Sequence, residues 1–207
     1  MIPGTSEELR ARLGAGQSCV ALLPAWPTTS IGGEAAGHDL LRRAARDLLP
    51  HLGGVSRVRV VELDFQGPTP TLEWVCFTIF AQAMADGEAA SAPWEGSVPY
   101  EAALAVWRTL EPSAPPEERL AAAFVEQLAG QRLVLVLALA RGGRFWLLQH
   151  HRKLLATLLG SLSDPLPRPV TLCIVARENQ ALREAAEDLG MSVDELEPMT
   201  SDQETGR

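Results

Sequence analysis

A small-residue segment between residues 24 and 33 has the composition of a phosphate-binding loop. It follows a short apolar run and precedes a helical pattern. In a loop of the form G-x-x-x-x-G-K-[ST], the glycines let backbone N–H groups surround the phosphates, the lysine neutralises them and the hydroxyl residue holds magnesium. The positions that would form such a loop here are Pro24, Thr28, Thr29, Ser30, Gly32 and Gly33.

The motif does not fit these residues in either plausible alignment. Placed directly after the apolar run, it puts Pro24 at the first glycine and Ser30 at the lysine. Placed so that Gly32 is the second glycine, it puts Gly33 at the lysine. Because Lys153 is the only lysine in the chain, no alignment near this loop can supply one. We therefore expect a capped turn here, or else a helix N-terminus that holds an anion without lysine.

The carboxylate that would accompany such a loop is also missing. Enzymes with this motif place an acid just after a central apolar strand, where it holds the metal or activates water. The most apolar strand pattern of this chain covers residues 133–140, yet residues 138–141 are Ala, Leu, Ala and Arg. No carboxylate occurs between Glu126 and Asp164. The sequence therefore predicts no catalytic residues, no metal site and no cofactor.

Hydrophobic periodicity predicts alternating strands and helices along the 207 residues. The predicted strands are residues 18–23, 57–65, 133–140, 170–176 and 191–196. The predicted helices are residues 5–14, 37–52, 71–84, 100–110, 117–128, 145–162 and 179–189. This alternation predicts an α/β fold with three αβα layers and a central, mostly parallel sheet of about five strands. We expect one domain over residues 1–198 and a flexible tail over residues 199–207.

Three segments carry a family resemblance: VRVVELDFQG, VTLCIVAR and VDELEPMTSDQE. Their order resembles that of STAND-type P-loop NTPases, signalling relatives of the AAA ATPases. The resemblance implies a P-loop-NTPase-like sheet with the first strand in the interior beside the third. It also implies that Arg177 is the remnant of a sensor arginine, whereas its position beside Glu178 is equally typical of a surface ion pair. Since both nucleotide motifs depart from the family pattern, the likeness is to the inactive STAND domains of bacterial conflict systems. It implies a regulatory or scaffolding module paired with an effector.

The charge distribution restricts the classes of partner. A net charge of −8 argues against nucleic acid and anionic membranes, because a negative field repels phosphates. The segment RGGRFWLLQHHRK differs, since it is both basic and aromatic. It predicts either a protein-binding surface or an ordinary helix with its charges in water. The residues of that candidate surface are Arg141, Arg144, Phe145, Trp146, Arg152 and Lys153.

Three cysteines, Cys19, Cys76 and Cys173, each lie within an apolar run, which is typical of core thiols in a reducing cytoplasm. We expect a cytoplasmic, catalytically inactive NTPase-like module that acts through protein–protein interaction or as a regulatory scaffold in a bacterial signalling or defence system. Its expected partner is an effector encoded nearby. One alternative is a nucleotide-binding switch without efficient hydrolysis. Another is an enzyme of a different class, with a strand-end pocket lined by Asp64, Thr29 or Arg177.

Overall fold

The structure is a computed structural model that describes residues 7–23, 57–63, 71–85, 97–128, 131–139, 170–177, 180–188 and 190–195. The strands are β1 (Cys19–Leu23), β2 (Arg57–Leu63), β3 (Leu133–Leu139), β4 (Val170–Arg177) and β5 (Ser192–Glu195). The helices are α1 (Glu7–Gly14), α2 (Leu72–Met84), α3 (Val98–Thr109), α4 (Pro116–Leu128) and α5 (Gln180–Asp188). Each matches a predicted element to within a few residues. The predicted helices over 37–52 and 145–162 and the tail lie outside the described residues.

The five strands form one parallel sheet in the order β2-β3-β4-β1-β5. The predicted parallel sheet of five strands is therefore confirmed. The expected neighbour of β1 is wrong, because β4 lies between β1 and β3. The reason is that residues 170–176 of β4 are buried like those of β3, so both strands suit an interior position. A strand pattern reports burial on both faces, but it does not report which strand lies beside it.

Helices cover both faces of the sheet, which confirms the three-layer architecture. Side chains of β3 alternate between the faces: Leu133, Leu135 and Leu137 pack in a core that contains α2, α4 and α5. Val134 and Val136 pack in a second core, on the face that α1 covers. A strand buried on both sides reads as a continuous apolar run, as β3 does.

Local signals fix where the helices begin and end. The Thr71 hydroxyl accepts the N–H of Trp74 at 3.2 Å and caps α2, and the Ser97 hydroxyl caps α3 in the same way. Gly16 and Gly190 follow α1 and α5 with φ values of 79° and 68°, a region that favours glycine. Within the described ranges, no helix has both the length and the apolar character needed to cross a bilayer.

Candidate functional site

The carboxyl ends of the strands lie at one edge of the sheet, because all strands are parallel. There the last residue of β1, Leu23, is the register partner of Arg177, the last residue of β4. Leu22 pairs with Glu195 on the other side of β1. The carboxyl end of β1 therefore lies directly beside the end of β4. The predicted loop at residues 24–33 lies outside the described residues, but the strand end that it follows is the register neighbour of Arg177.

The boundary between β1 and β4 is also where the direction of the chain reverses. After β1 the chain moves across β4 and β3 to β2 at one edge of the sheet, whereas after β4 it moves across β1 to β5 at the other. In open α/β sheets, ligands bind outside the carboxyl ends of the strands at such a switch point. The Leu23–Arg177 pair therefore marks the candidate functional site of this fold.

The neighbouring strand ends supply little chemistry in the described part of the chain. Leu63 ends β2 and pairs with Leu139, which ends β3. One position earlier, Ala138 is 2% exposed and has Glu62 as its register partner in β2. Where a nucleotide-hydrolysing sheet would carry an acid at the end of β3, this sheet carries Ala138 and Leu139. The acidic residue closest to this position in the register, Glu62, belongs to a different strand.

Most of the predicted site residues lie outside the described ranges. This applies to the loop positions Pro24, Thr28, Thr29, Ser30, Gly32 and Gly33. It also applies to Asp64 and to the candidate surface residues Arg141, Arg144, Phe145, Trp146, Arg152 and Lys153. Of the predicted site residues, Arg177 is the one whose backbone the structure describes. Among the described residues, no group of three or more His, Cys, Asp or Glu side chains could hold a metal ion.

A polar cluster between the helices was not predicted from the sequence. One carboxylate oxygen of Glu73 on α2 accepts both the indole N–H of Trp107 and a guanidinium N–H of Arg119, each at 2.6 Å. Arg119 also donates to the backbone carbonyl of Trp107 at 3.0 Å, and its guanidinium lies 4.7 Å from the Trp107 ring centroid. Burial raises the pKa of the nearby Cys76 thiol to about 12, and the negative charges of Glu117 and Glu73 add to this shift. The cluster joins α2, α3 and α4 into one unit.

A second unpredicted cluster lies at the edge strand β5. Arg12 on α1 donates to both carboxylate oxygens of Asp194, at 3.2 and 3.1 Å, and to Glu8 one helical turn away. Burial raises the pKa of Asp194, Arg12 opposes that rise and the charge of Glu8 adds to it. The spacing of Glu8 and Arg12 was a visible signal for a helix pair. The contact to Asp194 spans 182 residues and had no local signal.

Comparisons with known proteins do not identify a family. No family model matches the chain, and no curated protein matches it. Among solved structures, the chain is similar to the ORC2 protein of Aeropyrum pernix, determined in ADPNP and ADP complexes. The match has a TM-score of 0.45 and 16% identity, and it covers 93% of this chain and 46% of that protein. The chain thus spans less than half the length of that protein, and a similarity at this level assigns it no shared activity.

Proposed function

We propose that this chain is a catalytically inactive, NTPase-like module of the inactive STAND type that acts through protein–protein interaction, as a regulatory scaffold in a bacterial signalling or defence system. In this proposal the domain covers residues 1–198 and lies in the cytoplasm. The sheet edge that would bind nucleotide in an active relative keeps its position but has lost its chemistry. The partner is a protein, and we propose an effector encoded nearby.

One observation carries the inactive part of the proposal. The strand at which a metal-holding carboxylate is required, β3, ends in buried Ala138 followed by Leu139. Without that acid, magnesium and the attacking water have no anchor at this position. The sequence adds that Lys153, the one lysine, lies far along the chain from the loop at residues 24–33. Two independent residues of the phosphoryl-transfer motifs are therefore missing from the sequence positions at which the motifs require them.

A nucleotide-binding switch without hydrolysis is the second candidate. It is favoured by the register pairing of Arg177 with Leu23, which brings the backbone of a basic residue to the strand end at the switch point. A cation there could interact with a phosphate even without lysine. The two candidates differ in one measurable property, the affinity for nucleotide.

Thermal unfolding with nucleotide separates the two candidates. A site with a dissociation constant of about 50 µM would raise the melting temperature by roughly 5–10 °C at about 5 mM ligand. The scaffold proposal predicts no rise with ATP, ADP or GTP, with or without magnesium, and no phosphate release. A rise that disappears in Arg177→Ala would establish the switch instead. Measurable hydrolysis would overturn both candidates.

The interaction role needs its own experiment. The basic, aromatic segment 141–153 is the proposed partner surface, because it stands out in an acidic chain. We expect a complex with the product of an adjacent gene on co-expression and size-exclusion chromatography. Arg141→Ala with Arg144→Ala should weaken that complex, whereas Arg108→Ala on an exposed position of α3 should leave it unchanged. Equal effects of the paired and control substitutions would contradict this surface.

A further inference from the structure

Helix α3 presents a line of small and apolar side chains to solvent. Its inner side packs in the core through Ala103 and Trp107. On the outer side, four exposed residues follow each other at spacings of four, three and four, and they form the α3 stripe: Val98, Ala102, Ala105 and Thr109. Val98 is 84% exposed. The Thr109 hydroxyl donates to the carbonyl of Val106 at 2.7 Å, so its own helix satisfies this polar group.

Two opposite charges border the α3 stripe on one side. Glu101 and Arg108 are the charged residues of this helix, and both are exposed. They are seven residues apart, which is two helical turns, so both lie along the same edge of the stripe. About 10 Å of helix axis separates them, so they do not pair with each other. Neither has an ion-pair partner among the described residues.

This arrangement matches one edge of an antiparallel helix pair. In heptad terms, the α3 stripe occupies alternating d and a positions, and Glu101 and Arg108 both occupy the flanking g position. When two such helices run in opposite directions, the g edge of one faces the g edge of the other. Glu101 of one copy then meets Arg108 of a second copy, and the two-fold axis repeats the pair. A parallel arrangement would instead bring these charges to the e edge, which carries Pro99 and Val106.

The charge of the chain favours a second copy at this helix over contact at most other places. Two chains of net charge −8 repel each other. Helix α3 carries one acid and one base, so its outer side is neutral and complementary to itself. The small side chains of Ala102 and Ala105 allow two helix axes to approach to about 8 Å. A surface that fits itself is what a two-fold contact requires.

The size of the contact makes the association weak. Helix α3 has 12 residues and is therefore about 18 Å long. Two helices of this length bury less than the roughly 1,200 Å² of a stable interface. We therefore expect a dissociation constant on the order of 100 µM. Below about 10 µM such a dimer is dissociated, so this contact does not interfere with the effector experiment that uses Arg108→Ala.

We propose that α3 is a self-association surface. Two copies of this chain pair antiparallel through the α3 stripe, and two reciprocal Glu101–Arg108 ion pairs fix the direction of the helices. The contact goes beyond the scaffold function proposed above and does not depend on an effector or on the loss of nucleotide chemistry. It becomes populated where an assembly raises the local concentration of the chain.

The test is sedimentation equilibrium of the full chain from about 10 µM to 1 mM, a range that brackets the expected dissociation constant. We expect a monomer at the lower end and a dimer at the upper end. Glu101→Arg and Arg108→Glu each place like charges opposite one another twice and should each weaken the dimer at least tenfold. The combined variant reverses both charges at unchanged net charge and should restore the dimer. Glu126→Arg, at an exposed position of α4, matches the charge change of Glu101→Arg and should leave the dimer intact.

A chain that stays monomeric at about 1 mM would overturn the proposal. So would single variants that associate like the unmutated chain, or a combined variant that stays as weak as the single ones. These substitutions lie on exposed positions, so they test the contact and not the stability of the fold.

The direction of the helices has its own readout, disulfide cross-linking. In the antiparallel pair, position 98 of one copy lies near position 109 of the other. A mixture of Val98→Cys and Thr109→Cys chains should therefore give mixed cross-linked dimers, whereas Val98→Cys chains alone should not cross-link. Cross-links between two Val98→Cys chains, or no mixed cross-links at concentrations where the dimer is present, would refute the antiparallel contact.

Discussion

The Glu73–Trp107–Arg119 cluster gives the sharpest stability prediction. Truncating Glu73 to Ala removes the acceptor of two donors at 2.6 Å, the Trp107 indole N–H and the Arg119 guanidinium. Trp107 is 3% exposed and the Arg119 side chain 11% exposed, so water can replace the acceptor only in part. A buried donor without a partner costs about 1–3 kcal/mol. Since the Glu73 side chain is itself 45% exposed, the cost of each unpaired donor lies in the lower part of that range.

Glu73→Ala should therefore lower the free energy of unfolding by about 2 kcal/mol, which corresponds to roughly 4–8 °C in melting temperature for a chain of this length. Glu73→Gln keeps an acceptor oxygen for Trp107 and loses only the charge opposite Arg119, so its effect should be about 1 kcal/mol. Urea unfolding followed by far-ultraviolet circular dichroism measures both values.

A double-mutant cycle isolates the contact. Arg119→Met removes the ion pair, the bond to the Trp107 carbonyl and the cation–π contact together. Combined with Glu73→Ala, it should show a coupling energy of about 1 kcal/mol. Glu126→Ala, at an exposed position of α4, is the control and should change stability by less than about 0.5 kcal/mol. Equal effects of Glu73→Ala and Glu73→Gln, or zero coupling, would refute the reasoning.

Three further predictions concern backbone strain and titration. Gly16→Ala should cost about 1–2 kcal/mol in urea unfolding, because φ is 79° and a Cβ would lie 2.6 Å from a guanidinium nitrogen of Arg132. Gly14→Ala, with nothing within 4 Å, should not destabilise. Burial raises the pKa of Asp194, so ionisation of this carboxyl group opposes folding. The free energy of unfolding, compared with that of Asp194→Asn, should therefore fall as the pH rises through that pKa. Parallel plots of unfolding free energy against pH for the two proteins, from pH 4 to 7, would contradict this. Burial raises the pKa of Cys76 from near 9 to about 12, so the unfolded thiol ionises first. Stability relative to Cys76→Ala should then fall above pH 9, by up to about 1.4 kcal/mol per pH unit, and a constant difference would exclude the shift.

The fold could be predicted to a large extent because its signals are local. The apolar run of β3, the capping residues Thr71 and Ser97, and the glycine after α5 each act on their own neighbours in the chain. Signals of this kind predicted every described element to within a few residues, although α3 begins at Val98, directly after Ser97, and not at the predicted residue 100. The absence of lysine near residues 24–33 and of an acid at the end of β3 is a property of the sequence itself and needs no structure.

The order of the strands could not be read in the same way. The apolar sequence of β4 predicts burial on both faces. Its position between β1 and β3, however, follows from the packing of the whole sheet. That order is what places Arg177 beside Leu23, and Cys19 beside Cys173. The Glu73–Arg119 and Arg12–Asp194 contacts span 46 and 182 residues, and neither pair has a spacing that marks it in advance.

The sequence by itself thus determined the described elements of this protein and the residue types at residues 24–33 and 138–141, since helix caps, strand periodicity and residue types are local properties of the chain. Only the tertiary structure decided which residues meet. Parallel strands are joined through long crossovers, so their neighbours and register follow from the burial of both sheet faces at once. The Leu23–Arg177 pair at the carboxyl end of β1, which marks the candidate site, is a product of that register.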